Sequence, residues 1–189
     1  VPVVSDYDGD GMADIAVFRP SSNTWYIHKS TDGSVLSFSA GLPGDKVIAG
    51  DFDGDGKGDL NLLRGGNLWT IYKSTTNYST SDTIDFGLVG DIPIPADFDG
   101  DSTDNLAVFR PSNGTWYYRR PDNAISIVQF GANGDVPVTG DYDGDGKSDY
   151  AVYRPATGVW YIFRSSDGGF HIENFGLAAD SPLPFAYQH

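Results

Sequence analysis

Residues 6–14 read DYDGDGMAD, and the same nine-residue stretch returns as DFDGDGKGD at 51–59, DFDGDSTDN at 97–105 and DYDGDGKSD at 141–149. The starts at Asp6, Asp51, Asp97 and Asp141 are 45, 46 and 44 residues apart, the regularity of a repeat architecture. Outward from each loop the sequence keeps its register. An apolar run ending in arginine follows, at Arg19, Arg64, Arg110 and Arg154; then comes a segment carrying one tryptophan, Trp25, Trp69, Trp116 or Trp160. A third run, such as SVLSFSA ending at Ala40 or AISIVQF ending at Phe130, leads to a glycine-bearing link and a fourth short run that feeds the next loop.

Four short strands in about 45 residues, separated by Gly, Pro, Asn and Asp, is the pattern of a propeller blade. The reading is all-β: a four-bladed β-propeller with four short strands per blade. A β-sandwich explains short strands equally well, but not the fourfold return of loop, Arg, Trp and Gly. We expect a single domain, 1–189, with repeats at about 1–45, 46–90, 91–134 and 135–180 and a surplus terminal strand at 181–189. Val1 to Ser5 matches the strand before each loop, and so does Ser181 to Phe185; Ala186 stands where a fifth loop would begin. Two closures are open at this point: a ring of four, with the extra strand beside the first blade, or a larger ring completed by upstream blades or a second chain.

The chain has 189 residues, 12 basic and 26 acidic, a formal charge of −14, and Glu173 is its one Glu. Glu favours helix and Asp favours turns and oxygen-ligand loops, so this imbalance argues against helix. Such a charge repels nucleic acid and anionic membrane surfaces. There is no long apolar run for membrane insertion and no basic-then-apolar leader at Val1. Without cysteine there is no disulfide, thiolate metal site or thiol catalysis.

Asp at positions 1, 3, 5 and 9 of a loop with Gly at 4 and 6 calls for a cation. Carboxylates about 4 Å apart repel by roughly 4 kcal/mol per pair at an effective dielectric near 20, and a bound divalent ion reverses the sign. Oxygen-only ligands select Ca²⁺ or Mg²⁺, and a flexible loop suits Ca²⁺. The spacing copies the first half of an EF-hand loop, but position 12 holds Val17, Leu62, Val108 or Val152, so position 9 must close the site. In the third loop Ser102 replaces a glycine and Asn105 the closing carboxylate, which weakens binding there.

The motif D-x-D-G-D-G-x-x-D, followed by an apolar strand, FRP, TWY and FG-x-x-GD-x-P, resembles the FG-GAP or VCBS-like repeat of integrin α-subunit propellers and many bacterial extracellular proteins. The resemblance implies that each loop joins the first and second strands of a blade and binds Ca²⁺, three to four ions per chain. It implies as ligands the side chains of Asp6, Asp8, Asp10 and Asp14 with the carbonyl of Met12, and of Asp51, Asp53, Asp55 and Asp59 with that of Lys57. Asp97, Asp99, Asp101 and Asn105 with Thr103, and Asp141, Asp143, Asp145 and Asp149 with Lys147, complete the sets. Integrin-type propellers have seven blades, and this chain has four repeats. The expected function is a non-catalytic extracellular module, secreted or on the cell surface, that serves adhesion or protein interaction with Ca²⁺ stabilising the blades. Its expected partner is an extracellular protein or a glycan, with self-association through the surplus terminal strand. The alternative is a lectin-like module, or a propeller domain of a polysaccharide-active enzyme. His28, His171 and His189 fall at unrelated repeat positions, and no nucleophile, zinc or phosphate-loop motif is present. The recurring Trp residues read as blade packing or as one sugar platform per blade. The recurring Arg residues read as structural bonds to an acidic loop or a carbonyl, or as a site for an anionic ligand.

Overall fold

The computed structural model describes residues 1–178 and 180–182. The surplus strand expected at 181–189 therefore lies almost wholly outside the described residues, as do Ala186 and Tyr187. Among the described residues there is no α-helix, and the strands form four antiparallel sheets in chain order. They fall into two compact units, 1–89 and from Gly90 onward, each holding two sheets.

In the first unit, blade 1 comprises β1 (Ile15–Arg19), β2 (Thr24–His28) and β3 (Val35–Ser39); blade 2 comprises β4 (Lys46–Ile48), β5 (Leu60–Arg64), β6 (Leu68–Tyr72) and β7 (Ser81–Asp85). Blade 1 is a three-stranded sheet, and residues 1–5 lie in the place of a fourth strand, held by isolated bridges from Pro2 to Val17 of β1 and from Ser5 to Asp14 just before it. In the second unit, blade 3 is β8 (Ile92–Pro93), β9 (Ala107–Arg110), β10 (Thr115–Arg119) and β11 (Ile125–Gln129). Blade 4 is β12 (Val136–Pro137), β13 (Tyr150–Arg154), β14 (Val159–Phe163) and β15 (Phe170–Asn174). Each acidic loop thus joins the first and second strands of its blade. Pro93 and Pro137 sit on the edge strands β8 and β12, where a missing N–H costs the sheet nothing.

The alternation of the strands explains what is buried. Along β2, Trp25 and Ile27 are fully buried, packed with Leu60 and Leu62 of the next blade. In the second unit Trp116 and Phe98 meet Tyr150 and Val152; the Phe98 and Tyr150 rings stack 5.0 Å apart. Trp25, Trp69 and Trp116 present no ring to solvent, so a sugar platform on every blade does not form. The indole N–H of Trp69, Trp116 and Trp160 donates to the carbonyl of Phe86, Phe130 and Phe175, tying strand to link. Among the described residues the side chains of the four recurring arginines reach neither an acidic loop nor a carbonyl. Arg64, Arg110 and Arg154 each donate two bonds to a link carboxylate, Asp45, Asp91 and Asp135.

The irregular stretch of repeat two is structured. Residues Ser74–Thr76 form a 3-10 turn, Asn77 and Tyr78 adopt left-handed φ of 51° and 61°, and the Tyr78 ring is delivered into the core. It lies 6.1 Å from the Phe38 ring of blade 1, and its hydroxyl donates to the Gly58 carbonyl at 3.2 Å.

Candidate metal centres

Each loop is wound around its first aspartate. The Asp6 carboxylate accepts N–H bonds from Gly9 (2.6 Å) and Gly11 (2.8 Å), an inward turn for which both glycines take φ of 82°. Asp51 does the same with Gly54 and Gly56, and Asp141 with Gly144 and Gly146. In the third loop Asp97 is bonded by Gly100 and Ser102, and Ser102 is forced to a φ of 66° without glycine's freedom.

The aspartate at position 9 ties the loop to the rest of its blade. Asp14 is buried, one oxygen accepting the Tyr7 N–H and the other the Ser30 N–H, at 2.8 and 2.7 Å. Asp59 and Asp149 are held identically, by Phe52 with Ser74 and by Tyr142 with Ser165. Sequence reasoning did not single out these serines, nor the hydroxyl neighbours that complete the cup. Ser30 Oγ donates to Asp10 and Thr31 Oγ1 to Asp8; Ser165 and Ser166 repeat this on Asp145 and Asp143, and Ser74 and Thr75 on Asp55 and Asp53. The signal was present as KST at 29–31 and 73–75 and RSS at 164–166.

The structure brings carboxylate oxygens within 4.8 Å of one another in every loop: Asp6, Asp8 and Asp10; Asp51, Asp53 and Asp59; Asp97, Asp99 and Asp101; Asp141, Asp143 and Asp149. At position 7 the N–H groups of Met12, Lys57, Thr103 and Lys147 donate to the position-5 carboxylate. One Oδ1 of each of Asp8, Asp99 and Asp143 is buried and has no hydrogen-bond partner. A buried carboxylate oxygen without a donor is costly unless a cation faces it, and an all-oxygen cup fits a hard divalent ion. Burial, opposed in part by the N–H bonds from Ser74 and Phe52 and reinforced by Asp53, pushes the Asp59 carboxyl up to about 6. Burial likewise raises Asp51, Asp99 and Asp149.

The third loop is built differently. Asn105 Oδ1 accepts the Phe98 N–H at 2.8 Å, so Nδ2 must occupy the other side, where it donates to Asp99 (3.2 Å) and to the Arg119 carbonyl. Its equivalents receive a serine N–H on that side. Here Pro121, which has no N–H, stands in the serine position, so the amide and the proline are matched.

Within each unit the loops touch. The Gly58 N–H donates to the Asp6 carbonyl at 2.5 Å and the Ser148 N–H to the Asp97 carbonyl at 2.7 Å. The stems of Lys57 and Lys147 lie across Gly9 and Gly100, so a Cβ at Gly9 would stand 2.8 Å from Lys57 Cε.

Residues 6–61 match the family model of the FG-GAP-like repeat. No curated protein matches the chain. Among solved structures it is similar to a catalytically inactive virginiamycin B lyase from Staphylococcus aureus with quinupristin, at 9% identity and a TM-score of 0.58, over 90% of this chain and 54% of that one. It is similar also to a streptogramin B lyase, at 11% identity and a TM-score of 0.56, over 90% of this chain and 53% of that one. The third is BBS1N in complex with ARL6DN, at 13% identity and a TM-score of 0.55, over 92% and 53%. The chain spans about half the length of these structures, and the likeness is one of fold. Among the described residues no helix is long and apolar enough to cross a membrane.

Proposed function

We propose that this FG-GAP-like repeat protein is a non-catalytic, extracellular calcium-binding propeller module that presents a surface for adhesion or protein interaction. Calcium is its structural cement. The observation that carries the reading is the buried, partnerless Oδ1 of Asp8, Asp99 and Asp143, each within a cup of convergent carboxylates. The side chains of the first, third, fifth and ninth positions would hold the ion, which supplies the positive charge their mutual repulsion demands. Extracellular modules of this chemistry bind at about 10⁻⁴ to 10⁻³ M, matched to the calcium outside cells. Because the folded chain alone offers the cup, binding raises stability by mass action.

Thermal melts with EDTA and with calcium, read beside native mass spectrometry, test this. We expect three to four ions per chain and a melting temperature that falls in EDTA and returns with calcium. No bound ion and an unchanged melt would overturn the reading. An immobilised panel of extracellular proteins and glycans, probed with calcium present, tests the binding role.

A further inference from the structure

In each unit one main-chain bond joins the two cups. Gly58 is position 8 of the second loop, between Lys57, whose carbonyl the resemblance to FG-GAP repeats assigns to the ion, and Asp59, whose two oxygens accept the Phe52 and Ser74 N–H groups. Its own N–H donates to the carbonyl of Asp6, the residue around which the first loop is wound. Ser148 stands in the same place between Lys147 and Asp149 and donates to the Asp97 carbonyl. One cup therefore supplies the donor that holds the first residue of the other.

Side chains stiffen this seam. The Lys57 stem covers Gly9, whose N–H holds Asp6 Oδ1 at 2.6 Å, and the Lys147 stem covers Gly100, whose N–H holds Asp97 Oδ1 at the same distance. Gly58 packs against Tyr7, which donates its N–H to Asp14 and so holds the closing residue of the first cup. The buried Tyr78 hydroxyl lies 3.2 Å from the Gly58 carbonyl and 3.5 Å from that of Tyr7, spanning the two loops. In the second unit Phe98, beside Asp97, stacks on Tyr150, beside Asp149.

We propose that the two cups of each unit fill with calcium as a coupled pair, an ion in the second or fourth loop raising the affinity of the first or third. The coupling rests on the calcium reading above. An ion that draws in the Lys57 carbonyl and the Asp59 carboxylate fixes the peptide between them, and with it the donor on Asp6. The first loop then has less disorder to lose when its own ion binds. By linkage the help is mutual. Charge acts the other way, because an ion in one cup repels an ion in the next. In the second unit the weak cup leans on the strong one: the third has Asn105 for a carboxylate and Ser102 at a φ of 66°, whereas the fourth has all four aspartates.

Calcium titration followed by amide NMR reads each cup separately, through the N–H groups of Gly11, Gly56 and Ser102, which donate to Asp6, Asp51 and Asp97. In the wild type Gly11 and Gly56 should titrate together and more steeply than a single site, a test that needs no variant. Asp53→Asn with Asp55→Asn makes the same change in charge as a calcium ion but removes the second cup, so charge alone leaves the Gly11 midpoint in place. We expect that midpoint to move instead to calcium about fivefold higher or more. Asp8→Asn with Asp10→Asn should move the Gly56 midpoint by the same factor, and Asp143→Asn with Asp145→Asn should move that of Ser102 likewise. Strand amides that match the wild type show that each variant is folded. Single-site curves at separate midpoints in the wild type, or a Gly11 midpoint unmoved in the variant, overturn the coupling and leave calcium binding standing. No calcium shift at either glycine in the wild type would remove the calcium reading and the coupling with it.

Discussion

Asn105 shows how much one atom decides. Its Nδ2 stands where three other loops have a carboxylate oxygen, and it donates a hydrogen bond to Asp99 Oδ2 while Asp99 Oδ1 stays without a partner. Asn105→Asp puts a negative oxygen there, and Pro121 offers it no N–H. We expect the variant to be less stable than wild type in EDTA by about 1–3 kcal/mol, with calcium recovering most of the loss, as read by denaturant titration in each buffer. Asp59 sets the pH response of the second loop. Its folded pKa is about 6 against an ordinary 3.8, so between these values the metal-free folded chain keeps a proton that the unfolded chain has released. That contribution to metal-free stability is full in acid and is lost as pH rises through 6, while calcium binds the ionised form. The second loop's share of the rise in melting temperature on adding calcium should therefore shrink as pH falls below about 6. An increment that does not change with pH would contradict this. Asn61 is fully buried with Oδ1 unpartnered, at the position where the other repeats carry Ala16, Ala107 and Ala151. Its Nδ2 donates to the Asp59 and Gly50 carbonyls at 3.2 and 3.4 Å, so Asn61→Ala sets the loss of these long bonds against removal of the partnerless Oδ1 and should shift stability by no more than about 1 kcal/mol in the same assay.

Among elements, the insertion in repeat two repays its irregularity by adding a side chain to the core. Tyr78→Ala should cost about 3 kcal/mol and Tyr78→Phe about 1 kcal/mol, the second isolating the hydroxyl bond to Gly58. Denaturant unfolding of the pair checks both. In sequence this segment reads as a polar loop, because a single Tyr among Thr, Asn and Ser has no periodicity to mark it as core. The strands and loops themselves are legible, since strand alternation and DG-rich turns are local signals. What stays illegible is contact at a distance. The hydroxyls of Ser30 and Thr31 lie 20 and 23 residues from the carboxylates they serve, and Arg154 lies 19 from Asp135. Nothing local in those stretches distinguishes a partner from a solvated polar residue; only the fourfold recurrence does, and Pro121 breaks it in one repeat.

For the whole molecule, the formal charge of −14 is concentrated in four cups rather than spread over its surface. Filling three or four with divalent ions removes roughly half of it, so electrophoretic mobility toward the anode at neutral pH should fall by about half when calcium replaces EDTA. An unchanged mobility would mean that the cups stay empty. The all-β fold and four blades were readable because each repeat restates the same instructions. The division into two compact units was not, because the periodic pattern runs unbroken through Val89 and Gly90.

The bond from the Gly58 N–H to the Asp6 carbonyl, matched by that from Ser148 to Asp97, also restricts the chain's freedom to vary. Position 8 of a loop looks like its least constrained residue, occupied by Ala13, Gly58, Asp104 and Ser148 with no common side chain. What is held there is a main-chain hydrogen. At Ser148 substitution should be tolerated broadly by polarity and charge and proline refused, whereas at Gly58 a Cβ would stand 2.8 Å from Ser5 Cβ and 3.1 Å from Tyr7 Cδ1, so there even alanine is resisted.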